Sequence, residues 1–178
     1  TSLYAQTMIV ASRYDEALPI YSRLMQMDNR NPDVYRILAI LYQQRQQPFS
    51  AISILDSADM RFGKNPYLSN MNRHLLITTG QMERAIEEAQ ESVEEAPYEL
   101  ENHLSLGDTY LSAGKDSLAG VAYRRALEMD STSVQALGAY ADYCSSQRDM
   151  KGYLATLRLL YARPEFPLER KLELFGRL

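Results

Sequence analysis

Small and large apolar residues recur along the chain at two spacings, one within a helix and one between helices. In the stretch from Leu100 to Ser133, LENHLSLGDTYLSAGKDSLAGVAYRRALEMDSTS, Leu106, Gly107 and Tyr110 are followed by Ala119, Tyr123 and Ala126. Residues at i, i+4 and i+7 share one face of an α-helix. The stretch therefore predicts two helices packed on each other, with small residues where the backbones approach. Upstream of Ala119, steps of 34 residues land on Ala85, Ala51 and Ala17. Four positions after these alanines stand Tyr21, Leu55, Ala89 and Tyr123, and three further on Leu24, Ala58, Ser92 and Ala126. The pattern predicts an all-α chain forming a single domain, with repeats at 1–31, 32–65, 66–99, 100–133 and 134–163. An end helix over 167–178, with Leu168, Leu172 and Phe175 on one side, covers the open end, because repeat units bury their faces only on neighbours.

The copies differ in informative ways. The first is incomplete, with Thr1 to about Val10 as most of a first helix. Pro19 falls in its second helix, where it either kinks the helix or belongs to the opening turn. The second copy places Tyr35, Leu38, Ala39 and Tyr42 where the fourth has His103, Leu106, Gly107 and Tyr110, and Pro48 and Gly63 mark the start and stop of its second helix. The third copy puts Ser69, Asn72, Arg73 and Leu76 at the apolar sites, a face that would be wet. A one-residue shift to Leu68, Met71, Asn72 and Leu75, with Thr78-Thr79-Gly80 as a longer turn, is the expected register. The fifth copy keeps Leu137, Tyr140 and Ala141, places Cys144 at a buried site, and has Tyr153 where the others have alanine, which predicts looser packing of its two helices.

Leu106-Gly107 with Tyr110, then Ala119, Tyr123 and Ala126, resembles the tetratricopeptide pattern W-x2-L-G-x2-Y, then A-x3-F. The resemblance covers essentially the whole chain. It implies a TPR-type α-solenoid, a right-handed superhelix of antiparallel helix pairs with a C-terminal capping helix, whose first helices line a concave groove. Members of this family generally bind peptides or proteins there and are rarely catalysts. The groove positions implied by the resemblance are Ser2, Gln6, Arg36, Ile40, Gln43, Asn70, His74, Leu104, Asp108, Gly138 and Asp142. Some similar domains clamp a partner's terminal carboxylate with cations and amides on successive first helices. Here Arg36 and Asn70 are followed by Asp108 and Asp142, so that clamp is not carried over. The groove reads as a cationic, amide-rich half followed by an acidic half, suited to an extended segment of opposite charge order.

Composition narrows the function class. A net charge of -4 supplies no basic face for nucleic acid. No run approaches the roughly 20 apolar residues of a membrane span, so no membrane insertion is expected. Cytoplasmic residence is the default. The repeat phase puts Thr1 inside a helix, however, so the chain reads as a fragment with room for an upstream export or lipoprotein signal, and the compartment stays open. Two histidines and one cysteine, far apart, provide no metal-ligand spacing, and no phosphate-cradling glycine loop is present. Neither a metal nor a cofactor is therefore expected. His103 reads as a packed imidazole with a satisfied hydrogen bond, His74 as a groove residue and Cys144 as a core residue. The acidic run Glu83, Glu87, Glu88, Glu91, Glu94 and Glu95 reads as a solvated back face, although its like-charge i,i+4 pairs do not favour the helix. Tyr67 and Tyr98 are placed between helices, where they add to a contact surface. These readings describe a non-enzymatic protein–protein interaction module with a scaffold or adaptor role. The alternatives are a homo-oligomer stacking through its end helices, and the regulatory repeat part of a larger enzyme or envelope protein.

Overall fold

The computed structural model describes residues 13–167 and 169. Among the described residues there are nine helices and no strand: α1 (Tyr14–Met27), α2 (Pro32–Gln44), α3 (Pro48–Phe62), α4 (Pro66–Thr78), α5 (Met82–Glu95), α6 (Leu100–Ser112), α7 (Asp116–Met129), α8 (Val134–Ser146) and α9 (Met150–Tyr161). None is long and apolar enough to cross a membrane. The expected helix over 1–10, with Ser2 and Gln6, and the end-helix positions Leu168, Leu172 and Phe175 lie outside the described residues.

The 34-residue period shows in the starts and stops of the helices. The helices α2, α4, α6 and α8 are each 13 residues long and begin one period apart. The first two start at Asn-Pro pairs. Asn31 Oδ1 accepts a bond from the Asp33 backbone N–H at 3.0 Å, and Asn65 Oδ1 accepts from those of Tyr67 at 3.1 Å and Leu68 at 3.3 Å. Proline follows at the first helical position, where its missing N–H costs nothing. Positive φ recurs at Gln46, Gly80, Gly114 and Arg148 (59°, 78°, 68° and 58°), again one period apart. A left-handed residue stops a helix by turning its chain away, and Gly80 and Gly114 adopt this conformation without strain. Gly63, with φ 78°, ends α3 as its sequence position suggested. Pro19 lies inside α1, beyond its opening turn.

The chain divides into two compact units, Thr1–Glu88 and Ala89–Leu178. In the first, Ala17, Ala51 and Ala85 are fully buried, as is Ala119 in the second. Around them the first unit packs Tyr35, Ala39, Leu55, Leu75 and Leu76 in one cluster and Tyr21, Val34, Leu38 and Leu41 in another. Ala85 is fully enclosed in the first of these clusters. Ala85→Leu is expected to cost about 1–3 kcal/mol through overpacking, and an unchanged thermal midpoint would contradict this packing.

The third copy does not shift. Helix α4 starts one full period after α2, and Ser69, Asn72, Arg73 and Leu76 are all buried, together with Leu68 and Leu75. The turn after it, around Gly80, has the same phase as the other copies, so no longer turn forms. The face expected to be wet is instead buried, with Asn72 bonded at its centre. Asn72 Nδ2 donates to Glu88 Oε1 at 2.8 Å and to Asp56 Oδ1 at 2.9 Å, while the Arg84 guanidinium holds both Asp56 oxygens at 3.0–3.1 Å. Asn72 stands where the second copy has Leu38, and Glu88 where it has Ile54. Two apolar sites have become polar together, and each group partners the other. Glu88 thus leaves the solvated face assigned to the acidic run.

In the second unit, Leu137, Ala141, Cys144, Tyr153, Leu157 and Leu160 form one core. Tyr153 takes the site that alanine occupies in the other copies. Tyr153 is buried, and a Cβ placed on the neighbouring Gly152 would come nearest to Asp149 Oδ2, the cap of the same helix, and 3.0 Å from Cys144 Sγ on α8. His103 is buried with Nε2 at 2.9 Å from the Pro97 carbonyl oxygen, matching its reading as a packed imidazole.

Candidate functional site

The first turns of α2 and α4 frame a depression of about 530 Å³, walled by Pro32, Asp33, Arg36, Asn65, Tyr67 and Leu68. The Asn-Pro starts that fix the helix register also aim these side chains. Arg36 is half-buried, and its Nε donates to Asp33 Oδ1 at 3.2 Å. Its side chain is the cation of this depression. Tyr67, 59% exposed, supplies an aromatic wall. It lies in the first turn of α4 rather than between helices.

A second depression, about 230 Å³, lies on the other side of the first turn of α2 and is walled by Tyr21, Leu24, Asp28, Asn31, Asp33, Val34 and Ile37. Asp28 Oδ1 accepts a bond from the Arg30 backbone N–H at 3.1 Å. Among the described residues the buried Tyr21 hydroxyl has no hydrogen-bond partner. Burial raises its pKa, and the nearby Arg36 charge acts in the opposite direction. Asp33 belongs to both depressions.

The groove residues expected from the sequence divide into several environments. Ile40 and Gln43 are half-buried further along α2, and Asn70 and His74 are exposed on α4. Asn70 Oδ1 accepts a bond from the buried Arg73 guanidinium. Leu104 is a correction: at 3% exposure it belongs to the core of the second unit. An apolar side chain at that helix position turns inward for burial, whereas arginine and asparagine at the same repeat position keep their polar ends out. Asp108 is exposed but also ties two helices, accepting a 2.6 Å bond from the Tyr123 hydroxyl. Burial raises the Tyr123 pKa, and the bond to Asp108 and the charges of Asp108 and Asp142 add to the effect. Asp142 is exposed on α8.

Sequence reasoning missed Pro32, Asp33, Asn65 and Leu68 as wall residues. The available signal was the repeated Asn-Pro pair at 31–32 and 65–66, which marks a helix start and hence the direction of the side chains just after it. Tyr98, 91% exposed, sits in the turn between α5 and α6, as read. Among the described residues no group of three or more His, Cys, Asp and Glu is placed to hold a metal ion.

Paired helices of fixed period, closed by left-handed turns one period apart, define a helix-hairpin repeat protein. A family model described as tetratricopeptide repeat matches residues 9–73. Solved structures with the same fold include MamA residues 41-end from Desulfovibrio magneticus RS-1, at 14% identity and TM-score 0.67, over 92% of this chain and 95% of that one. They also include a thermophilic tetratricopeptide protein of Thermus thermophilus, TTC0263, at 16% identity and TM-score 0.67, over 97% and 94%. A third is YrrB, described as a TPR protein with an unusual peptide-binding site, at 17% identity and TM-score 0.64, over 98% and 89%. No curated protein matches the sequence. Residues 9–73 therefore resemble the tetratricopeptide-repeat family, and the described helices share the fold of solved tetratricopeptide-repeat structures.

Proposed function

We propose that the chain is a non-catalytic interaction module that binds an extended peptide or protein segment on its first-helix face, in a scaffold or adaptor role. The observation that carries this reading is the open depression between the first turns of α2 and α4, which offers a cation, an aromatic ring and apolar walls together. Such mixed concave surfaces suit peptide side chains, with polar groups giving orientation and apolar walls giving burial. YrrB, which shares the fold, is described as having a peptide-binding site, and that supports the same class of ligand here. Arg36, Asn70 and His74 are the polar groups of the first unit expected to meet the partner, with Ile40 and Gln43 beside them.

The test is affinity capture from lysate of the source organism with wild-type chain and with the Arg36→Glu, Asn70→Ala pair, identifying bound proteins by mass spectrometry. Both residues have exposed or half-exposed side chains, so the fold should persist, as circular dichroism would verify. Loss of a partner with the double variant supports the reading, and equal retention by both baits would move the site away from this face.

A further inference from the structure

We propose that the two depressions flanking the first turn of α2 form a paired charge-reading site for one extended segment. A basic side chain enters the depression walled by Asp28 and Asp33, and an acidic side chain two or three residues away enters the one walled by Arg36. This inference rests on the peptide-binding reading above and specifies the chemistry of its ligand.

The smaller depression has the build of a lysine or arginine pocket. Leu24, Val34 and Ile37 provide apolar sides for a methylene stem, and Asp28 and Asp33 stand where the cationic head would emerge. Tyr21 forms part of its wall and is 2% exposed, its hydroxyl without a hydrogen-bond partner among the described residues. The larger depression has the opposite character, since Arg36 is its cation, with Pro32, Tyr67 and Leu68 as apolar walls.

Asp33 joins the two. In the free chain its carboxylate holds Arg36 Nε through a single 3.2 Å contact. A guest carrying both charges exchanges that one internal pair for two intermolecular pairs, with Asp33 turning to the guest's base and Arg36 to its acid. A guest with only one charge breaks the internal pair without replacing both halves. Exposed ion pairs are individually weak, so the arrangement selects a sequence more than it adds affinity. The spacing follows from geometry: a helix is roughly 10 Å wide and an extended chain advances about 3.3 Å per residue.

The experiment is selection of random nine-residue peptides displayed on phage against the immobilised full chain. Calorimetry then follows with the consensus peptide on wild-type, Asp28→Asn and Arg36→Gln proteins. Enrichment of Lys or Arg two or three positions from Asp or Glu is expected. Asp28→Asn, which keeps the Oδ1 acceptor for Arg30, should weaken the consensus peptide about fivefold, and that effect should vanish when the peptide's basic residue is changed to glutamine. Arg36→Gln should behave likewise toward the acidic residue. Enriched peptides lacking the pair, or an Asp28→Asn effect that is independent of the peptide's base, would overturn this inference while leaving peptide binding intact. Failure to enrich any peptide would overturn both.

Discussion

Replacing Glu88 with glutamine should stabilise the chain by about 2–3 kcal/mol at pH 8 and leave its stability nearly unchanged near pH 4. Glu88, on α5, is 9% exposed, and its carboxylate shares the Asn72 amide with Asp56. Burial, countered by the Lys64 charge, reinforced by Asp56 and Asp59, and countered again by Arg84, pushes its pKa from an ordinary 4.5 up to about 7. In the unfolded chain the group ionises near its ordinary value. As pH rises from about 4.5 to 7, the unfolded state therefore loses its proton first and gains stability relative to the fold. The wild-type chain pays this difference in full above pH 7 and not at all below pH 4. Glutamine keeps an oxygen to accept the Asn72 bond and has no charge to desolvate. Denaturant titrations of both proteins at pH 4 and pH 8 would measure the difference. A variant less stable than wild type at pH 8 would mean that Lys64 and Arg84 compensate the buried charge.

Enlarging Gly107 is expected to be more damaging still, with Gly107→Leu costing about 3 kcal/mol or more. A Cβ at this position would lie 2.6, 2.8 and 2.9 Å from three ring carbons of Tyr123. The ring has no route of retreat. It is 1% exposed, lies 5.6 Å from the ring of Tyr143, and is tethered by its hydroxyl to Asp108 at 2.6 Å. Displacing it would break a charge-assisted bond as well as the packing. Gly107→Ala already introduces the offending atom, and its clash should outweigh the roughly 1 kcal/mol that alanine gains over glycine within a helix. Pairing Gly107→Ala with Tyr123→Leu should restore much of the loss, because Ala39 already packs with Leu55 in the first unit. Thermal melts of the three proteins are the check. A Gly107→Ala chain as stable as wild type would show that α6 and α7 can separate freely.

These two sites mark opposite ends of what the amino-acid order reveals. Gly107 and Tyr123 stand at repeat positions, and their close approach follows from the spacing of small and large residues alone. Glu88 sits in an acidic run that looks like a solvent face, and nothing local distinguishes it from Glu87 or Glu91. Its burial depends on Asn72, 16 residues earlier on another helix. The same distance effect misled the reading of α4. Judged by itself, a helix with Ser69, Asn72 and Arg73 on one side should turn that side to water. In the fold, Asn65 and Pro66 set where the helix begins, Gly80 sets where it ends, and Asn72 in the middle of the polar side is bonded from the helices on either side.

The candidate site was legible only in part. Repeat phase pointed to Arg36, which does line a depression, and it also pointed to Leu104, which is buried. Phase assigns a Cα to a face but does not say whether the side chain turns inward or outward, and that depends on its polarity and on the space beside it. The sequence by itself determined the helix pairs, their period and the buried alanine in the second helix of the first four copies, because periodicity of small and apolar residues is a local property of the chain. Only the tertiary structure decided that Asn72 and Glu88 form a dry polar pair, and that Asp33 stands between an acidic and a basic depression. Both depend on separate helices: Asn72 and Glu88 meet at hydrogen-bond distance across two of them, and the walls of the two depressions come from α1, α2 and α4 and the turns beside them, so no single segment contains the information.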